Sequence, residues 1–377
     1  MPASSKHQQK VLVAVTGLSP QVVTETLYAM LKRNEPMPDR IELITTKRGK
    51  TQAWLGLGFG NKDRPGQLSQ FCQDYGCAPI AFSQENIHVI RSADGRQADD
   101  ISTEADHVAM ADFILSHIKR LTDDQNTVIH ASLAGGRKTM TFFMGYALSL
   151  YGRVCDTLSH VLVTDGFESL RDFYYPTPYD HTLPGRNNNE LLNAKDARVT
   201  LTDIPFVRLR DEIPQSLIAG QASYAQVIER LNLSSRPLFL VIDLPRCQLI
   251  CSDIDIPMAP INLAFYLWFV ERHLQNMPPL EVPPKGTKDK IYASEFLRQY
   301  RKVVDAFKAD DAAMTGLKDG MSHDYFSERK SRVMRDLKHY LGEELAKRYG
   351  IQVLDRRGRY QRFGLAIPRD KLSVNDH

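Results

Sequence analysis

Two rhythms of apolar and polar positions alternate through the first 170 residues. VLVAV (11–15) is a continuous apolar run of strand length. Behind it Val23, Leu27, Met30 and Leu31 recur at i, i+4, i+7 and i+8, the stripe of an amphipathic helix. Ser19-Pro20 between them reads as an N-cap followed by proline at the first helical position. IELITT (41–46) and IHVI (87–90) are a second and a third strand. Val108, Ala111, Leu115 and Ile118 stripe the next helix, with Ser102 or Thr103 at its cap. TVIHAS (127–132) is a fourth strand, and a helix over about 139–151 ends at Gly152. That helix is apolar almost all round (Met140, Phe142, Phe143, Met144, Tyr146, Leu148), which predicts burial on every side. HVLVTD (160–165) is the fifth strand. Strand alternating with helix predicts an α/β fold: a Rossmann-like, doubly wound, mostly parallel sheet covered on both faces.

Residues 54–79 break the rhythm and read as an irregular, glycine-rich excursion, and 176–193 as a long loop. LFLVID (238–243) adds a further strand. Pro257 and Pro260 mark the boundary between a domain over 9–256 and a second over 257–377. In the second, an apolar helix over 261–274 precedes a Pro/Lys-rich loop, a helix over 294–307 and a helix over 324–341. On the last, Phe326, Val333, Leu337 and Tyr340 share one face, while Arg332, Arg335, Lys338 and His339 take the other. Alternating Phe363, Leu365 and Ile367 after the Arg356-Arg357-Gly358-Arg359 turn suggest a hairpin, and the whole a winged helix-turn-helix.

Charge sharpens this division. From residue 259 onward the chain holds 22 Lys and Arg against 16 Asp and Glu, a net of +6, and the rest holds 26 against 29, a net of −3. The basic excess of the second domain suggests a polyanion partner, with Arg332, Arg335, Lys338, Arg357 and Arg359 as candidate contacts to double-stranded DNA. No apolar run approaches the roughly 20 residues of a membrane span. The five scattered cysteines read as thiols of a reducing compartment, and the expected location is the cytoplasm.

In an open parallel sheet, ligands bind beyond the carboxyl ends of the strands, where the strand order reverses. Two turns here suit that place. Thr16-Gly17-Leu18-Ser19 joins the first strand to its helix, and LAGGRK (133–138) joins the fourth. Gly135 and Gly136 allow close backbone approach, helix starts offer N–H groups to anions, and Arg137 and Lys138 add cations. This combination predicts a phosphate-rich ligand, with Ala134 and Thr139 flanking it and Thr45, Thr46 and Gly49 lining the same crevice. The turn is neither a Walker A loop nor GxGxxG, which disfavours an ordinary ATPase or a dinucleotide enzyme. Ser132, at its strand end, could hold a phosphate or the attacking group. His130 shares its face and reads as a core histidine, with general base as the alternative. Asp99 and Asp100 read as caps of the following helix, and neither a metal site nor a cofactor is expected.

TGLSPQVVTETLYAM, TTKRG and HASLAGGRKTM, with LSLYGRVCDTLSHVLVTDGFE and IPFVRLRDEIP, together resemble the CRISPR-associated CARF-domain proteins of the ring nuclease group over about residues 9–250. SERKSRVMRDLKHYLGEELAKRYGI and RYQRFGLAIP resemble the winged-helix region attached to some members. The resemblance implies a homodimer that binds a cyclic oligoadenylate, usually cyclic tetra-adenylate, in a pocket across the two-fold axis. It places ligand contacts at Thr16, Gly17, Leu18, Ser19, Gly135 and Gly136. It further implies metal-independent cleavage, in which a ribose 2′-hydroxyl attacks its adjacent phosphate. Lys138 is then the first candidate for charge stabilisation and Arg137 the second, with Ser132 or Thr16 orienting the ribose. The alternative is a cyclic oligoadenylate-gated transcription regulator with little or no cleavage. A ligand-activated RNase fits less well, because Arg335 and His339 are one residue too close for its R-x4-6-H motif.

Overall fold

Seven residues from Gln9 to Val15 form β1, and five of them are fully enclosed, as a continuous apolar run demands. It is followed by α1 (Gln21–Lys32), β2 (Arg40–Thr45), α2 (Lys47–Ala53), α3 (Gln67–Tyr75), β3 (Ile87–Val89), α4 (Glu104–Asp123), β4 (Thr127–Ser132), α5 (Lys138–Tyr151) and β5 (Thr157–Val163). A hairpin of β6 (Thr182–Pro184) and β7 (Leu191–Asn193) precedes β8 (Val199–Asp203). These are the elements of a computed structural model describing residues 8–376 except 61–64, 169, 186–189, 220–221, 233–237, 305–315 and 358–359. The chain divides into two compact units, Met1–Arg210 and Asp211–His377.

In the first unit the sheet order is β3-β2-β1-β4-β5-β8. The first five strands are parallel, and β8 closes the edge antiparallel to β5. Leu12, Ala14, Ile41 and Leu43 pack on Val23 and Leu27 of α1 and Phe71 of α3. The alternate residues Val11, Val13 and Val15 are equally buried toward the other face, where α4 and α5 lie side by side.

Several sequence expectations change here. The excursion over 54–79 contains α3, whose buried Leu68, Phe71 and Cys72 stripe one face. Asp99 and Asp100 do not cap α4; Thr103 does, in a reciprocal capping box with Asp106. Ser19 caps nothing, since α1 starts at Gln21 behind Pro20 with no side-chain cap. The helix α5 is not buried all round: Phe142 is 58% exposed, edge-on to Phe143 and tilted against Tyr146.

The second unit opens with α6 (Gln215–Ala219) and α7 (Tyr224–Asn232), then β9 (Leu240–Asp243), β10 (Gln248–Cys251), β11 (Ile254–Pro257), α8 (Pro260–Leu274), β12 (Leu280–Glu281), β13 (Lys288–Asp289) and α9 (Lys290–Val303). It closes with β14 (Met321–Ser322), α10 (His323–Leu341), α11 (Glu343–Tyr349), β15 (Gln352–Arg357), β16 (Tyr360–Gly364) and β17 (Leu372–Asn375). Every residue from Asn262 to Val270 of α8 is buried, and Phe265 and Trp268 meet Phe326 of α10 edge-on. The expected boundary at 256/257 falls instead at Arg210/Asp211. The reason is β17, which pairs parallel with β9 and draws β9–β11 into the C-terminal core.

Candidate functional site

The strand order reverses between β1 and β4, so the turns leaving these two strands open in opposite directions around a crevice. They touch. A Cβ added to Gly17 would lie 3.6 Å from the Gly136 Cα, and one added to Gly135 would press 2.7 Å from the Val15 carbonyl oxygen. Gly136 also has φ +78°, the left-handed region that side chains avoid. A third turn joins them. The Thr45 hydroxyl donates to the Thr16 carbonyl at 2.6 Å, and Gly49 packs so tightly that a Cβ would reach the Gly17 oxygen at 2.7 Å.

Helix starts crowd this place. Thr46 caps α2 by accepting the Gly49 N–H at 3.3 Å, but neither α1 nor α5 has a side-chain cap. Their first N–H groups are therefore left for other acceptors, and the helix dipoles favour an anion there. Beside the turns lies a cleft of about 1010 Å³ lined by Gly17, Leu18, Ser19, Ala134, Gly135 and Gly136, with Arg48 and Arg171 as cations. Glu25, Glu168 and Asp172 line it too. Burial, with Glu168 nearby, pushes the Glu25 carboxyl up to about 8, so at neutral pH it holds its proton and adds no charge.

The sequence-derived residues separate into those at the cleft and those that build it. Leu18 and Ser19 are exposed. Thr16 and Ser132 are buried; the Ser132 hydroxyl lies 3.2 Å from that of Thr26 and so ties β4 to α1 rather than facing the cleft. Thr46 and Gly49 shape the α2 turn. Arg137 and Lys138 follow Gly136 on the start of α5, exposed, but are not among the lining residues. Arg137 is held by Asp100, Nε to Oδ1 at 2.9 Å, and Thr139 is half-buried. His130 sits away from the turns, 2.7 Å from the Ser159 hydroxyl, and burial lowers it to about 4. Arg48 and Arg171 were not singled out from the sequence, although Arg48 lies within the TTKRG motif.

A model of the family described as CRISPR-associated protein NE0113 matches residues 19–235, more than half of the chain and the whole stretch from Ser19 through α5. The chain belongs to this CRISPR-associated family. No curated protein is similar to the chain at a significant level. Among solved structures, the chain is similar to Csm6 of Enterococcus italicus bound to cyclic hexa-2′-fluoro-hexa-dAMP, at 17% identity and a TM-score of 0.24. That match covers 41% of this chain and about a third (34%) of that one, too little to carry an argument.

In the second unit of this CRISPR-associated protein, Arg332, Arg335 and Lys338 of α10 are exposed but paired. Arg332 meets Glu328 at 2.6 Å, Arg335 meets Asp336 at 3.9 Å and Lys338 meets Glu343 at 2.9 Å. Arg335 and Lys338 also line a groove of about 500 Å³ shared with Asp211 and Ile213. Arg357 ends β15, and Arg359 lies outside the described residues. No described helix is long and apolar enough to cross a membrane. No metal site was expected, yet among the described residues Glu42, His88 and His117 of the first unit converge as potential ligands.

Proposed function

We propose that the protein is a ring nuclease that binds a cyclic oligoadenylate, cyclic tetra-adenylate foremost, and cleaves it without a metal ion to end a CRISPR signal. The observation that carries this reading is the meeting of two uncapped helix starts, α1 and α5, at touching glycine turns beside cationic side chains. Such a place suits phosphates, because backbone N–H groups and fixed dipoles need no reorganisation to receive negative charge. The exposed Phe142 on α5, directly after the turn, supports a homodimer in which two such turns grip one symmetric ring.

In the proposed reaction a ribose 2′-oxygen loses its proton and bonds to the adjacent phosphorus. The bond from phosphorus to the 5′-oxygen breaks, that oxygen takes up a proton, and a 2′,3′-cyclic phosphate remains. Lys138 serves the charge that builds on the phosphoryl oxygens, and Arg137, steadied by Asp100, serves a neighbouring phosphate. Ser19 and the Gly135–Gly136 backbone hold the sugar, while buried Ser132 and Thr16 keep the turns in place. Incubation of the protein with labelled cyclic tetra-adenylate in EDTA is expected to yield linear di-adenylate with cyclic phosphate ends. Intact ligand after prolonged incubation would remove the enzyme from the proposal.

A ligand-gated DNA-binding role for the second unit is the other reading. Its support is a sheet ordered β12-β16-β15 in which α8, α9 and α10, with the short strands β13 and β14 and the short helix α11, precede the β15–β16 hairpin, an arrangement that suits a winged helix. The carboxylate partners of Arg332 and Lys338 weigh against a bare DNA-contacting face. Salt-sensitive DNA binding that changes with cyclic oligoadenylate would favour this role.

A further inference from the structure

Glu42 stands between Ile41 and Leu43 in β2 and is only 4% exposed. A carboxylate in such a position is costly unless its oxygens are matched. One oxygen is matched by Arg40, whose Nη2 lies 2.8 Å from Oε1. The other, Oε2, accepts a hydrogen bond from Arg120 Nη2 at 3.1 Å and has two histidines crowded against it besides. The Nε2 atoms of His117 on α4 and His88 on β3 stand 2.8 and 3.2 Å from the same Oε2, and both are buried. Neither ring nitrogen meets a hydrogen-bond partner at an acceptable angle among the described residues. Two imidazoles, their centroids 4.3 Å apart, thus bring one buried nitrogen each beside a single carboxylate oxygen at angles that make no regular hydrogen bond.

That arrangement is poor hydrogen bonding and good ligand geometry. Nitrogen and oxygen donors sit about 2.0–2.2 Å from a zinc ion, which puts the corners of a tetrahedron roughly 3.4 Å apart. All three donor atoms here lie within 4.8 Å of one another, and the two nitrogen–oxygen edges, 2.8 and 3.2 Å, have to open toward that spacing as the ion enters. We propose that Glu42, His88 and His117 bind one divalent transition-metal ion of the zinc class, with water completing its coordination. Two imidazoles and one carboxylate suit such an ion; calcium and magnesium would want an oxygen set. Arg40 remains on Oε1 as the outer partner that a ligating carboxylate usually keeps. Arg120, 3.1 Å from Oε2 with its side chain 58% exposed, swings into solvent when the ion arrives. The partly exposed His88 side chain gives the ion its way in.

The ion would pin β2, β3 and α4 together three residues before Thr45, whose hydroxyl holds the Thr16 turn. Its role is structural, and it does not depend on the nuclease reading. The test uses the full chain, stripped with EDTA, dialysed and titrated with Zn²⁺ and, separately, Co²⁺. One ion per chain is expected by calorimetry and elemental analysis, with the intense visible absorption of tetrahedral cobalt. Zn²⁺ should also raise the unfolding temperature in a concentration-dependent way. His88→Ala, at a half-exposed position on a short strand, is expected to keep the native circular dichroism spectrum. It should weaken metal binding by at least the roughly 10–100-fold that outer partners command, and abolish the thermal shift. His117→Ala should do the same. No uptake by the unaltered protein, or equal uptake by both histidine variants, would overturn the proposal and leave a plain ion-pair cluster.

Discussion

Glu25 offers the sharpest test of the cleft's electrostatics. It is 6% exposed, and burial together with Glu168 raises its carboxyl from the ordinary 4.5 to about 8. Below pH 4.5 the group is protonated in both folded and unfolded chains and contributes no pH dependence. Between 4.5 and about 8 the unfolded chain releases the proton while the folded one keeps it, so stability falls as pH rises; above about 8 the loss is complete. At 1.36 kcal/mol per pH unit the whole loss is on the order of 5 kcal/mol, an upper bound because a charged Glu25 would draw in water or relax its surroundings. Glu25→Gln keeps the shape and removes the titration. Denaturant unfolding of both proteins from pH 5 to 9.5 should therefore show the Gln variant gaining several kcal/mol on the parent as pH rises. Affinity for an anionic ligand should likewise fall above pH 8 in the parent and stay level in the variant. Parallel stability curves across that range would refute the reasoning, because they would mean that Glu25 is ionised or solvated in the folded state.

Three other perturbations address the turns directly. Gly135→Ala sets a methyl against the Val15 carbonyl at 2.7 Å and Val22 at 3.1 Å, and should cost about 1–3 kcal/mol in denaturant unfolding while weakening ligand binding. Lys138→Ala, at an exposed helix start, should leave the unfolding midpoint within error but lower the single-turnover cleavage rate about 100-fold or more and weaken binding. Phe142→Glu charges the exposed aromatic face of α5. Sedimentation is expected to show a shift from dimer to monomer, with loss of turnover at fixed ligand concentration.

Much of the first unit can be read along the chain, because its strands and helices announce themselves through periodicity alone. The run 11–15, the stripe from Val23 to Leu31 and the glycine pair before Arg137 needed no tertiary information. The mistakes came where local pattern and packing compete. The apolar girth of α5 read as burial, but only one side of that helix faces the sheet and Phe142 stays outside. Ser19 looked like a cap, yet proline fills the capping position and leaves its hydroxyl exposed.

Local sequence therefore determined which segments become strands and helices and which turns can bear a close backbone approach. Those properties depend on side-chain period and on glycine, which a residue carries wherever it is placed. Only tertiary structure decided which turns meet and which side chains share a cavity. The register of β2 against β3, which sets Ile44 opposite His88, brings His88 to Glu42, and the packing of α4 brings His117 to the same carboxylate. The parallel pairing of β17 with β9 moves the domain boundary to Arg210. Pairings between distant segments are fixed by how helices pack across the sheet, and no stretch of local pattern encodes that.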